Sequence, residues 1–183
     1  PGVAGELDDI PGYSSYFHPI DEEHLLSIGR DADDEGGEKG IQIQLFDLSD
    51  VSQPKIADRI VIGDGWEYGS EALHNHKAFT YWNRSEAQDW FALPVNHSAR
   101  IQGDDCKPIE EDGAELYCGY TYQYESNLSI YGVDTASNQL VAVDELNTSQ
   151  PGYSNQRSIL FSQDGSSYAI FFNGDRIAFK ALP

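Results

Sequence analysis

Residues 40–63, GIQIQLFDLSDVSQPKIADRIVIG, restrict the fold of this chain more than any other stretch. Ile41, Ile43 and Leu45 alternate with Gln42 and Gln44, the two-residue period of a half-buried strand. SDVSQP then turns the chain, with Pro54 placed where no ladder donor is needed. IADRIVIG follows as a second strand. A chain built from such pairs folds as antiparallel sheet.

The pattern recurs. PGYS stands at 11–14 and again at 151–154, and a looser form, YGSE, at 68–71. These marks divide the chain into three units, about 11–67, 68–150 and 151–183. In the first, YSSYFHPI and HLLSIG precede the pair above, with the acidic, Gly-rich loop RDADDEGGEKG between. In the second, ALHNHKAFTYW, DWFALPV, NLSIYGVD and QLVAVDEL supply four strands, and residues 96–120 form a long excursion carrying both cysteines. The third holds RSILFS, SYAIFF and RIAFKAL, joined by QDGS, a hairpin signal, and by NGD, whose Asn173-Gly174 suits a type I′ turn. No stretch keeps a helical period.

Four short antiparallel strands per unit, repeated in tandem, describe the blades of a β-propeller. The fold class is therefore all-β, a partial or open propeller fragment, with a β-sandwich as the alternative. Aromatic residues at 12% and 17 glycines agree with an all-β chain. An open arc leaves unpaired strand edges, through which the protein is expected to self-associate. The chain begins at Pro1 and contains no Met, so it is expected to be a processed or excised piece.

A formal net charge of -20 argues against nucleic acid and anionic membrane as partners, because phosphate contacts need Lys and Arg. No apolar run approaches the ~18 residues of a membrane span. The charge describes a solvated acidic surface, with cation binding as the other reading. Cys106 and Cys118 stand close together without further Cys or His at zinc-finger spacing, which points to a disulfide and an oxidising compartment; a pair of free thiols is the alternative. The expected location is secreted or extracytoplasmic, in a periplasm or at a cell surface.

HPIDEEHLLSIGRDAD, GIQIQLFDLSDVSQPK and SEALHNHKAF together resemble secreted bacterial and archaeal proteins with a C-terminal β-propeller domain, distantly related to WD40 repeats. The resemblance covers most of residues 11–95. It implies an extracytoplasmic propeller and supplies no catalytic residues to carry over.

Among candidate sites, Asp31, Asp33 and Glu35, followed by Gly36, match the opening of a calcium loop, where alternate carboxylates converge round the ion. Lys39 and Gln42 depart from that pattern, and an acidic solvated turn is the plain alternative. His74 and His76, two apart on an expected strand, would share a face and chelate Zn²⁺, with His18 as their counterpart in the neighbouring unit and on the same central channel. Structural hydrogen bonding is the plain reading of these histidines. Asp104, Asp105, Glu110, Glu111 and Asp112 describe a solvated loop or a second cation site. No G-x-S-x-G motif appears, and GDGWEYG lacks the Lys and Ser/Thr of a phosphate loop. Most aromatics belong to packing between units. Trp66 and the Tyr117–Tyr124 run, Tyr120 included, are expected to be exposed and to suit sugar or peptide recognition. Sequons stand at Asn83, Asn96, Asn127 and Asn147.

Three functions fit. One is a non-catalytic module that binds a protein or carbohydrate, stabilised by Ca²⁺. The second is a hydrolase or lyase whose site lies near His18 and His74. The third is a structural segment of a larger surface protein.

Overall fold

Three antiparallel sheets follow one another along the chain. The computed structural model describes residues 2–8, 10–84, 88–108, 116–148 and 154–183. The first sheet, A, holds β1 (Tyr13–Pro19), β2 (His24–Ala32), β3 (Glu38–Asp47) and β4 (Lys55–Ile62) in chain order. Sheet B is built on β7 (Asp89–Pro108), β8 (Leu116–Asp134) and β9 (Gln139–Asn147), with the short β5 (Tyr68–Gly69) and β6 (Thr80–Trp82) both pairing the free edge of β7. Sheet C holds β10 (Arg157–Gln163), β11 (Ser166–Asn173) and β12 (Arg176–Leu182). All-β blades of a propeller type are what the strand periodicity predicts, and the sheets do not close into a ring.

The sheets stack in series, and each seam has its own core. Leu26, Ile28, Ile41, Ile43 and Leu45 of sheet A meet Phe91, Leu93, Val95, Tyr131 and Val133 of sheet B. The other face of sheet B carries Trp90, Ala92, Leu128, Ile130 and Leu146, which meet Leu160, Ala169, Phe171 and Leu182 of sheet C. Sheet B is thus apolar on both faces because it lies between two neighbours. Burying each of these large side chains contributes about 1.5–3 kcal/mol before the entropy of ordering is set against it.

Polar latches fasten each seam. Between A and B, the imidazole of His24 bonds Asn138 Oδ1 at 2.8 Å, and Asp58 accepts the backbone N–H of Leu140 at 2.7 Å. Between B and C, the buried Glu71 carboxylate accepts the N–H of Gln156 at 2.7 Å and the guanidinium of Arg157 at 2.8 Å. The side chain of Gln156, itself fully buried, exchanges hydrogen bonds with Asn96 and donates to Asn173.

Several expectations are corrected. Residues 72–82 do not form one strand: two 3-10 turns, Glu71–Leu73 and His76–Ala78, precede β6. Ser70 and Asn75 start these turns, their side chains accepting the N–H groups of Ala72 and Lys77. Both residue types favour such local bonds over a ladder. Residues 96–120 are no loop excursion where they are described. β7 and β8 continue the hairpin in register from Asp89–Val133 to Pro108–Leu116, with one irregularity between Gln102 and Cys106.

Asp164 and Gly165 both take positive φ, 52° and 79°, as a type I′ turn requires. The expected Asn173-Gly174 turn is displaced by one residue. Asn173 pairs with Arg176, so the loop is Gly174-Asp175, and of the two only Gly174 has positive φ. Asn173 is held back because its side chain is needed in the buried network beside Gln156. Finally, β3 is buried on both faces: Gln42 and Gln44 are as inaccessible as Ile41 and Ile43.

Candidate ligand-binding site

A cleft opens where sheets A and B meet at the root of the β7–β8 hairpin. The chain leaves β4 at Gly63, whose φ is 76°. A Cβ there would lie 2.1 Å from the ring of Tyr68, so glycine lets Tyr68 pack flat beneath the approach. Tyr68 stacks on His97 with centroids 4.3 Å apart. Arg30, from the end of β2, spans the two sheets by donating Nη1 to the carbonyl oxygens of Tyr68 at 2.5 Å and Lys39 at 3.1 Å. Ser98 donates its N–H to the Glu67 carbonyl and fixes the 64–67 turn against β7.

Trp66 rides on that turn and is 72% exposed. On one side of it lies a recess of about 290 Å³, reached by Arg30, His74 and Asn96. On the other lies one of about 390 Å³, lined by His97, Arg100 and Tyr122. Trp66, Glu67 and Ser98 border both, so the two form one groove divided by the indole. The hairpin supplies the far wall. Arg100 lies 3.3 Å over the ring of Tyr120, and Tyr122 stacks on Tyr124 with centroids 6.2 Å apart. Flat exposed rings beside guanidinium groups can stack on a sugar or peptide while the guanidinium binds its oxygens.

Electrostatically, the groove sets two arginines, Arg30 and Arg100, against two carboxylates, Glu67 and Glu71. Burial would raise the pKa of Glu71 at its floor. The Gln156 N–H, Arg157 and Asn75 outweigh that and hold it below the ordinary carboxylate range. Its charge is therefore matched by Arg157 and not presented to a ligand. Arg30 and Arg100 are the cations of the lining, and Glu67, which borders both recesses, is its other carboxylate.

The other expected sites are placed as follows. Asp31 pairs with Arg59. Asp33 folds the loop on itself, accepting the N–H groups of Glu35 and Gly37 at 3.1 and 2.7 Å, with Gly36 at φ 83°. The three acids are thus not brought together around a common point, and Gln42 donates to the Pro11 carbonyl instead of facing the loop. Among the described residues, no three His, Cys, Asp or Glu side chains gather as a metal site needs.

The histidines separate. His74 lines the groove. His76 lies in a 3-10 turn, its ring against Tyr16 at 6.4 Å. His18 packs on Tyr81 and Phe79 at 4.4 and 5.3 Å, and burial lowers its pKa. With residues 74–76 out of a strand, the shared face expected of His74 and His76 is lost. Cys106 stands directly across the ladder from Cys118. Glu110, Glu111 and Asp112 lie outside the described residues, as does most of the PGYS at 151–154. Asn96, a sequon, is buried in the network beneath the groove.

Trp66 and Tyr120 are legible in sequence as exposed aromatics in loop-like segments. Arg30, His97 and Arg100 are not, because they come from β2 and β7, separated from the Trp66 turn by tens of residues.

Comparison with known proteins agrees with the sheet architecture. The β-propeller domain family matches residues 1–175. An uncharacterized protein of Archaeoglobus fulgidus is 43% identical over 79 residues, covering 43% of this chain and 11% of that protein. An uncharacterized protein of Methanocaldococcus jannaschii is 36% identical over 108 residues, covering 58% of this chain and 15% of its own length. The chain thus matches only a small fraction of the length of these relatives. No solved structure matches it.

Proposed function

This chain belongs to the β-propeller domain family, and from that premise we propose that it is a non-catalytic, extracytoplasmic module that binds a protein or carbohydrate ligand in the groove beside Trp66. The observation that carries this reading is the groove itself: an indole 72% exposed between two recesses, with Arg30 on one side and Arg100 and Tyr122 on the other. Each recess is close to the smallest volumes that hold small ligands, so the pair together suits an extended ligand crossing the indole. The rings supply apolar contact at low entropic cost, and the guanidinium groups supply direction.

Calcium enters the reading as a stabiliser of the loop after β2. The spacing of Asp31, Asp33 and Glu35 ahead of Gly36 supports it. Binding would draw Asp31 from Arg59 and Asp33 from two amides. A chelator-treated chain that takes up Ca²⁺ in calorimetry would bear this out, and one that takes up none would remove calcium from the account. The Cys106–Cys118 disulfide and an extracytoplasmic location belong to the same proposal, supported by the facing positions of the two residues and by the acidic composition.

The test of the groove is titration of the chain with panels of soluble oligosaccharides and short peptides, followed by tryptophan emission. A ligand found in this way should bind Trp66→Ala at least tenfold more weakly, roughly the loss of one buried aromatic anchor. The melting temperature should not move, because the indole is exposed. Unchanged affinity in Trp66→Ala would show that the groove is not the site.

A further inference from the structure

The β7–β8 hairpin runs past both of its neighbours in sheet B. β9 ends at Asn147, opposite Asn127, and β5 pairs only with Asn96 and His97. One further backbone bond continues the line of β5: the N–H of Ser98 donates to the Glu67 carbonyl at 3.1 Å. The chain before Glu67 then turns away, the Tyr68 N–H closing back on the Gly65 carbonyl at 3.3 Å. In an antiparallel strand the N–H and C=O of every second residue face the same edge. β7 keeps regular register with β8 as far as Gln102, so the backbone groups of Arg100 face the edge that Ser98 faces. There the ladder begun by Glu67 has no next strand among the described residues.

That edge is where one of the two recesses of the groove lies, its lining including Trp66, Glu67, His97, Ser98, Arg100 and Tyr122. Tyr120, Tyr122 and Tyr124, alternate residues of β8, are 43, 53 and 41% exposed. They share the face of the hairpin that carries Arg100, which stands opposite Tyr122 in the ladder.

We propose that the occupant of the groove is an extended peptide segment rich in Lys and Arg, which adds to the open edge of β7 as an antiparallel strand in line with β5. This rests on the groove reading above and names its ligand. Two observations select such a segment. The first is the edge itself, a row of main-chain donors and acceptors that another extended backbone matches and a saccharide does not. The tyrosine row beside it receives alternate side chains, and the stems and charged heads of Lys and Arg pack well on such rings. The second is charge. Within residues 63–69, 97–104 and 117–126, Asp64, Glu67, Asp104 and Glu125 stand against one arginine, Arg100. Its guanidinium already lies over Tyr120, and Arg30 beyond the indole is spent on the carbonyls of Tyr68 and Lys39. A chain of -20 draws in a basic segment and repels an acidic one.

The probe is a set of short peptides in which Lys or Arg alternates with Val, Thr or Tyr, titrated onto the whole chain and followed by tryptophan emission. The tightest is remade with Glu at every Lys and Arg and, separately, with N-methyl groups on alternate amides in each of the two possible phases. The Glu version should bind at least about tenfold more weakly. One N-methyl phase should lose at least about tenfold and the other stay within about twofold, because only every second amide of an added strand faces β7. Hydrogen exchange at the Arg100 amide should slow at least about tenfold on binding, while that of Ile101, turned to β8, should not change. Equal binding of the two N-methyl phases, or no binding of any basic peptide, would overturn the proposal. If an oligosaccharide then binds and loses affinity in Trp66→Ala, the groove reading stands without it; if nothing binds, both fall.

Discussion

The two ends of the stack solve the same problem in opposite ways. At the sheet A end, the centre of the outer face of β2 and β3 is polar and covered, with Leu25 and Phe46 beside it and the exposed Phe17 and Val61 at its margins. Ser14 donates to Ser27, Ser27 to Gln44, and Gln42 joins the Pro11 carbonyl to Arg59. The segment before β1 passes over this end, from Gly5 beside the Val51–Pro54 turn to Gly12 beside the Arg30 carbonyl. At the sheet C end, the outer face is apolar and open. A polar face can be sealed by a few residues of its own chain, because each hydrogen bond is satisfied locally. An apolar face has no such local remedy, and only another surface of similar extent removes it from water.

The largest effect should come from comparing the two faces of one sheet. Phe171→Ala opens a cavity in the B–C core and should cost about 3–5 kcal/mol in urea unfolding. Phe179→Ala, one strand away on the open face, should change stability by no more than about 0.5 kcal/mol. Similar costs at both positions would mean that the outer face is not open at all.

At the other end, Arg59→Ala strips partners from the buried Gln42 and from Asp31 and should cost about 1–3 kcal/mol. Gln44 sharpens the contrast. Its Nε2 is buried with no hydrogen-bond partner among the described residues. Gln44→Met removes that donor together with the long Ser27 bond at 3.4 Å, changes volume little, and should raise stability by at most about 1 kcal/mol. Loss of stability in Gln44→Met would show that the amide is satisfied and the polar seal complete.

The smallest effect is a difference in pH response between the two seams. Burial alone would lower the pKa of His24, but its hydrogen bonds to Asp21 and Asn138 raise it overall. A folded pKa above the unfolded value of about 6.5 gives stability that is complete below that value and lost as pH rises through the folded pKa. The A–B latch should therefore weaken from mildly acid to mildly alkaline pH, by less than about 1 kcal/mol because Asp21 is half exposed. His24→Gln should flatten that slope. Glu71, lowered in the B–C latch, behaves in the reverse sense: its contribution is present above its unfolded pKa and is lost as pH falls through the folded one. Chemical unfolding at a series of pH values separates the two.

How far these features were readable from sequence follows from how local their causes are. The alternation in 41–45, the Asp164-Gly165 hairpin and the strands of sheet C are local patterns, and they hold. The length of the β7–β8 hairpin was hidden because residues 96–120 lack a regular apolar period, their pairing being set by register with one another. The 3-10 turns at 71–78 were signalled by Ser70 and Asn75, yet apolar residues at 72, 73, 78 and 79 read more strongly as a strand. Burial of Gln42 and Gln44 was illegible for a different reason: a half-buried period says nothing of a distant Pro11 or Arg59 closing the second face. The groove was half legible, since Trp66 announces itself and its arginines do not.

The difference between the outer faces of sheets A and C is tested most directly by hydroxyl-radical footprinting read by mass spectrometry. Ile177 and Phe179 on the outer face of sheet C should oxidise readily, while Phe46 on the outer face of sheet A and Phe171 in the B–C core should react far more slowly. Slow oxidation of Ile177 and Phe179, or fast oxidation of Phe46, would contradict the assignment of a covered centre to the outer face of sheet A and an open outer face to sheet C.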